Sequence, residues 1–284
     1  MKASHPGSTL WKRGFTIVEL LVACVVLMLI MGIVLAMVGQ TQEIWKRTNA
    51  RIETFKSARN AFAALNRSLS QATLNTYWDY DNPNQPQHYL RKSELHFTTG
   101  TAEQVLGSAN KDRYFGQGVF FQAPLNIGNS TYRGMEKLLN AAGYYIEYGS
   151  NADWIPDHAQ ASSPAAERFR LFQWIQPAEA LSVYQPGGST DWITPDFESG
   201  AYPLADNIIA LIIWPALENG KVSSLNQYDY DTRRNALDIP QPVSANQLPP
   251  LLQVTMVAMS EASAVRLGDA LRETVEPALD GLFE

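Results

Sequence analysis

No charged residue occurs between Leu20 and Gln42, and the residues from Leu20 to Val38 are almost all apolar. A helix needs about 20 such residues to cross a bilayer, so a membrane-spanning helix is predicted over about 17–39. Beyond it the pattern changes. Ile44, Thr48, Ile52, Phe55, Ala58, Phe62, Leu65, Leu69 and Ala72 recur at steps of three and four, with charged residues such as Lys46, Arg51, Glu53 and Arg59 between them. That spacing is the period of one helix face. No proline occurs between Phe15 and Asn82. The pattern therefore predicts one long helix filling the segment 15–75, itself reading from about 16 to 74, with Gly32 and Gly39 as points of flexibility. The stripe of its second half should pack on the chain's own sheet, with part of it left to meet neighbouring subunits.

The remaining segment, 76–284, reads as short strands separated by irregular connections. Asn75 to Gln87 is polar and turn-rich, ending the helix. Ser93–Thr99 alternates and reads as a strand, as do Gly118–Gln122 and Tyr144–Tyr148. Arg133–Asn140 reads as a short helix closed by Gly143. Arg168–Trp174 alternates basic or polar with apolar residues and reads as a strand with one wet face. Asn207–Trp214 is a continuous apolar run, too short to span a membrane and suited to a central buried strand. Leu251–Met259 reads as a second core strand, and Glu261–Leu271 as a short helix with Ser260 as N-cap. Strands in succession without helices between them favour antiparallel pairing. The fold class is α+β: a long N-terminal helix whose amphipathic half lies across an antiparallel sheet with irregular loops.

Composition narrows the functional classes. The chain of 284 residues is 45% hydrophobic and 18% charged, as expected of a folded domain with a core. Its formal net charge is −6 and no basic cluster is present, which argues against general nucleic-acid binding. The single cysteine, Cys24, lies inside the apolar run, so no disulfide forms within the chain. The first fourteen residues carry Lys2, Lys12 and Arg13 and no acid, which predicts a cytoplasmic N-terminus with everything beyond the apolar run on the far side of the membrane.

Glu19 stands out because it is a carboxylate at the edge of a hydrocarbon run. An ionisable residue there costs a few kcal/mol unless partnered and is read as functional. An α-amine created by cutting before Phe15 is cationic enough near neutral pH to be that partner. It reaches Glu19 of a neighbouring, axially shifted copy more easily than that of its own helix.

The residues Gly14-Phe15-Thr16-Ile17-Val18-Glu19-Leu20, after a short basic leader and before a long apolar run, resemble the class III signal of type IV pilins and type II secretion pseudopilins. The resemblance implies that residues 1–14 are a leader removed by prepilin peptidase between Gly14 and Phe15. It implies further that Phe15 is N-methylated and that Glu19 pairs with the N-terminus of an adjacent subunit. It also implies insertion in the bacterial inner membrane, a periplasmic globular domain, an inner-membrane assembly platform, and other pilin or pseudopilin subunits as partners. Many type IV pilins carry proline where Ala36 stands here. The body of the chain resembles J-type minor pseudopilins. It also resembles the large pilin-like proteins called Verru_Chthon cassette protein C, through Arg168–Leu171, Ala205–Leu211, Tyr228–Asp231 and Leu248-Pro249-Pro250 leading into Val254–Ala258. The implied role is a structural minor subunit of a type II secretion or type IV pilus-like filament.

Other chemistry is thin. Leu21-Val22-Ala23-Cys24 has the form of a lipoprotein box, but its apolar region has to include Glu19 and the apolar run continues past Cys24. Asp79, Asp81 and Asn82 gather oxygens of the kind calcium takes, yet no complete ligand loop follows. Asp153, Trp154, Asp157 and His158 share one loop, and His96 has no metal-spaced partner. There is no GxSxG, and Gly187–Asp191 is too short and wrongly ordered for a phosphate loop. No catalytic residue, metal or cofactor is assigned. The alternative to a filament subunit is a membrane-anchored extracytoplasmic binding module. Its seven tryptophans and twelve tyrosines supply surfaces for stacking if several are exposed together.

Overall fold

The computed structural model describes residues 16–107, 112–127, 138–152, 155, 165–184, 192–193, 200–216 and 228–280. The chain divides into two units, one up to Asn49 and one from Ala50 onward. A single helix, α1 (Ile17–Leu69), runs for 53 residues without interruption, or about 80 Å at 1.5 Å per residue. It passes through Gly32 and Gly39, where an added Cβ meets nothing within 4 Å. In the first unit every residue from Ile17 to Val38 is exposed, and the helix is long and apolar enough to cross a membrane. The hydroxyls of Thr41 and Thr48 donate back to the carbonyls of Met37 and Ile44, each at 2.8 Å, so the polar positions just past the apolar run stay satisfied within the helix.

In the second unit the end of α1 supplies one wall of the core. Ala61, Leu65 and Leu69 are buried and Ala58 packs beside them. The predicted stripe is therefore inward-facing only in its last turns. Ile52 and Phe55 remain exposed, as does Ile44 in the first unit.

The strands are β1 (Tyr77–Tyr80), β2 (Tyr89–Lys92), β3 (Thr98–Thr101), β4 (Tyr114–Ala123), β5 (Asn140–Ser150), β6 (Glu167–Gln176), β7 (Ala201–Asp206), β8 (Ile208–Ala216), β9 (Tyr230–Asp231) and β10 (Leu251–Ala258). Six form an antiparallel sheet in the order β7-β6-β5-β4-β3-β9. Because side chains alternate along a strand, each central strand feeds two cores. Phe121, Tyr144, Ile146, Phe169 and Leu171 face a core closed by the end of α1, by β8 and by the C-terminal helices α3 (Glu261–Leu267) and α4 (Leu271–Asp280). Phe120, Tyr145, Phe172 and Trp174 face a second core with Leu95, Val183 and Trp192, closed in part by the short helix α2 (Ala102–Leu106).

This two-sided burial corrects the expectation of a wet face on Arg168–Trp174. Arg170 is buried, donates to the carbonyl of Ser150 at 2.6 Å and lies 5.9 Å from the Phe172 ring centre. The apolar run 207–214 is also not central to the large sheet. As β8 it pairs with β10 alone in a two-stranded sheet, and it is apolar because Ile208, Leu211 and Ile213 press into the first core. Its partner β10 is half-exposed rather than a core strand. Leu252, Val254 and Met256 pack inward while Leu251 and Val257 are exposed.

Three boundaries also differ. Residues 93–97 are an irregular connection, and the strand begins at Thr98. The turn-rich segment 75–87 contains β1 and, with β2, forms an antiparallel hairpin in which Tyr77 pairs with Lys92 and Tyr80 with Tyr89. Asn140, expected at a helix end, opens β5, and the rest of that expected helix lies mostly outside the described residues. The predicted cap Ser260 is present, its side chain accepting from the Ser263 N–H. The helix after it stops at Leu267 because Gly268 turns to φ +50°, and a further helix, not expected from the sequence, begins at Leu271.

Candidate functional site

The N-terminal motif starts from Thr16, which caps α1. Its Oγ1 accepts from the Glu19 N–H at 3.3 Å, and Glu19 Oε2 accepts from the Thr16 N–H and from Thr16 Oγ1, both at 3.3 Å. This is a capping box, in which residues three apart satisfy two of the helix's unpaired N–H groups reciprocally. The carboxylate also sits where the helix dipole is positive. Glu19 is therefore hydrogen-bonded within its own chain, by a neighbour three residues away. The T-x-x-E spacing that announces it is legible at 16–19. Gly14 and Phe15 lie outside the described residues.

A second cluster is buried in the domain. His96, on the connection before β3, is fully buried. Its Nδ1 accepts from the indole N–H of Trp192 at 2.8 Å, and its Nε2 lies 2.7 Å from Asp231 Oδ1 on β9. An indole nitrogen only donates, so Nδ1 carries no proton and Nε2 must carry it to reach the carboxylate. Burial pushes the His96 pKa down, against the pull of Asp231. Burial pushes the Asp231 carboxyl up, but hydrogen bonds from His96 and the Arg233 N–H more than offset it and hold it low. The result is a neutral imidazole beside an ionised carboxylate. Arg233 completes the network by donating to the carbonyls of Glu94 at 2.7 Å and Val183 at 3.1 Å. Among the described residues no hydroxyl or thiol is hydrogen-bonded to His96, the imidazole is buried, and the arrangement ties loops to the sheet edge. The sequence reading of His96 as a residue without a ligand partner missed this network, because Trp192 and Asp231 are distant in the chain.

The suggested calcium oxygens are used within the β1–β2 hairpin. Asp81 accepts from the Asn82 N–H at 2.7 Å and the Gln87 N–H at 3.0 Å, and Asp79 pairs with Lys92 at 2.8 Å. Among the described residues no group of three His, Cys, Asp or Glu is placed to hold a metal ion. The loop with Asp153, Trp154, Asp157 and His158 and the segment Gly187–Asp191 lie outside the described residues. Tyr228–Arg234 forms a hydrogen-bonded connection around β9: Tyr230 is buried and Arg234 binds Asp229 through both terminal nitrogens. A cavity of about 440 Å³ between the end of α1 and β10 is lined by Leu69, Ala72, Phe97, Pro249 and Leu252, without an acid–base pair.

A long, exposed, apolar N-terminal helix whose last turns enter the core of an antiparallel α+β domain is a pilin-like fold. Residues 12–35 match the family model of the prokaryotic N-terminal methylation motif. That stretch contains Gly14, Phe15 and Glu19, and it marks pilin-type processing and assembly. No curated protein and no solved structure matches the chain.

Proposed function

We propose that this chain is a minor pilin or pseudopilin, a structural subunit of a type II secretion or type IV pilus-like filament, of the large kind represented by J-type pseudopilins and Verru_Chthon cassette protein C. Prepilin peptidase cuts between Gly14 and Phe15, and Phe15 is N-methylated. The new N-terminus stays on the cytoplasmic side of the inner membrane, α1 anchors the subunit there and the domain is periplasmic. Assembly draws α1 out of the bilayer into a bundle of like helices. The observation that carries this reading is the methylation motif at the head of a 53-residue helix whose large apolar residues, from Ile17 through Phe55, are exposed.

Glu19 has a specific task in this scheme. Its carboxylate is held at the helix start by Thr16, where it offers an acceptor to the amine of an axially shifted neighbour. The bulk of the β domain, with loops between nearly every strand, favours a tip or minor position, because such domains crowd a shaft. Two measurements test the reading. Mass spectrometry of the N-terminal peptide from native membranes should find methylated Phe15; a lipidated Cys24 or an intact Met1 overturns it. Glu19→Ala should leave cleavage intact and reduce incorporation into filaments at least tenfold, and normal incorporation refutes the pairing.

A further inference from the structure

The β1–β2 hairpin exposes several aromatic rings. Pairing of Trp78 with Arg91 and of Tyr80 with Tyr89 puts these four side chains on one face, since paired residues and residues two apart share a side. The opposite face carries Leu90, which is 4% exposed and points into the domain. On the outer face Trp78 and Tyr89 are each 62% exposed and Tyr80 is 41% exposed. The tyrosine rings lie 4.9 Å apart at 33°, their hydroxyls 3.2 Å apart, and the Arg91 guanidinium sits 5.9 Å from the Trp78 ring centre.

An isolated two-stranded hairpin is only marginally stable, yet this one is clamped. The Arg91 N–H donates to Gln241 at 2.9 Å, its carbonyl accepts from Gln241 at 2.8 Å and Asn246 at 2.6 Å, and its guanidinium donates to the carbonyls of Pro242 at 2.7 Å and Ala245 at 3.2 Å. The rings are thus presented on a fixed support, which lowers the ordering cost of binding.

Charge decides what such a support takes. Arg91, the cation on this face, is engaged by backbone carbonyls, and Lys92, on the opposite face, by Asp79 and the Tyr80 carbonyl. Asp79, Asp81 and Glu94 add negative charge around the hairpin, so among the described residues phosphate- or sulphate-bearing polymers meet no unengaged lysine or arginine on this face. The loop joining Tyr80 to Tyr89 exposes the side chains of Asn82, Asn84, Gln85 and Gln87, which are neutral donors and acceptors. Flat aromatic faces beside neutral amides match the weakly positive C–H faces and the hydroxyls of an uncharged sugar chain. We propose that the outer face of the β1–β2 hairpin, through Trp78, Tyr80 and Tyr89, is a binding platform for a neutral polysaccharide. The platform is independent of assembly through α1.

The test uses the full chain in micelles of a detergent without a sugar headgroup. Hexamers of β-1,4-linked glucose, β-1,4-linked N-acetylglucosamine and α-1,4-linked glucose are titrated by calorimetry. At least one should bind, with affinity insensitive to salt. Trp78→Ala and Tyr89→Ala should each weaken binding at least tenfold with an unchanged circular dichroism spectrum, Trp78→Phe should retain most of it, and Tyr202→Ala, which removes an exposed ring elsewhere, should change nothing. Glu19→Ala should also bind normally, which separates this proposal from the assembly scheme. Failure of all three sugars to bind, or sugar binding that survives Trp78→Ala, overturns the proposal. So does salt-dependent binding of a single-stranded oligonucleotide in place of sugar, or a self-association that Trp78→Ala abolishes.

Discussion

Replacing Trp192 by Phe removes one hydrogen bond from the centre of the domain and tests how His96 is held. In the native network the indole N–H occupies His96 Nδ1 at 2.8 Å and Asp231 occupies Nε2 at 2.7 Å. A buried acceptor left without its donor costs about 1–3 kcal/mol, and the smaller ring adds a packing loss beside Phe120 and Trp174. Trp192→Phe should therefore lower unfolding stability by about 2–4 kcal/mol at pH 7.5.

The pH dependence carries the sharper test. The folded-state pKa of His96 lies below its ordinary 6.5 because burial opposes its charge, and Arg233 nearby also disfavours it while Asp231 favours it. The stability it contributes is thus fully present above pH 6.5 and is lost as pH falls from there toward the folded pKa, with a slope of up to about 1.4 kcal/mol per pH unit. Below pH 4 Asp231 adds a loss of the same sign, because its folded pKa is also depressed. Freeing Nδ1 in Trp192→Phe lets the imidazole take a proton while keeping Asp231, so the slope between pH 6.5 and 5 should flatten. Guanidinium unfolding of the full chain in micelles, followed by far-ultraviolet circular dichroism at pH 7.5 and 5.0, measures both effects. A native stability that does not change between these pH values, or an imidazole nitrogen spectrum with the proton on Nδ1, refutes the tautomer argument.

Three further outcomes follow from packing. In Gly143→Ala the new Cβ falls 2.2 Å and 2.3 Å from two ring atoms of Phe120, a fully buried residue wedged against Tyr145 and Trp174. The ring must move, and overpacking of this kind should cost about 1–3 kcal/mol in the same unfolding assay. Leu65→Ala should cost about 2–5 kcal/mol, since Leu65 has no exposed surface. Phe55→Ala, three turns earlier on the same helix and 68% exposed, should shift domain stability by less than about 0.5 kcal/mol. It should still lower filament incorporation, scored by shearing and immunoblotting.

The N-terminal motif was legible because all of its information is local. Gly14, Phe15 and Glu19 sit within six positions, the apolar run follows at once, and helix length is set by bonds between residues four apart. The same locality made the strand character of 118–122, 144–148 and 168–174 and the cap at Ser260 readable. Even the capping box of Thr16 and Glu19 was present as a spacing, though the carboxylate's position beside an apolar run drew attention to a partner in another subunit.

What the chain could not announce depends on which segments meet. Alternation in Arg168–Trp174 reads as one wet face in isolation, but both faces are covered once α1, β8 and the segment with Trp192 close over the sheet. Burial of β8 and exposure of β10 cannot be separated by hydropathy, because both are apolar and only their position against the large sheet differs. The hairpin at 77–92 looked like a polar loop because its strands are four residues long and are held by Gln241 and Asn246, about 150 positions away. His96, Trp192 and Asp231 likewise come together only when β9 joins the sheet edge. Short-range hydrogen bonding and apolar run length wrote the long apolar helix and its methylation motif into the sequence, whereas burial, pairing partner and the exposed aromatic face are properties of contacts between distant segments and came from the tertiary structure alone.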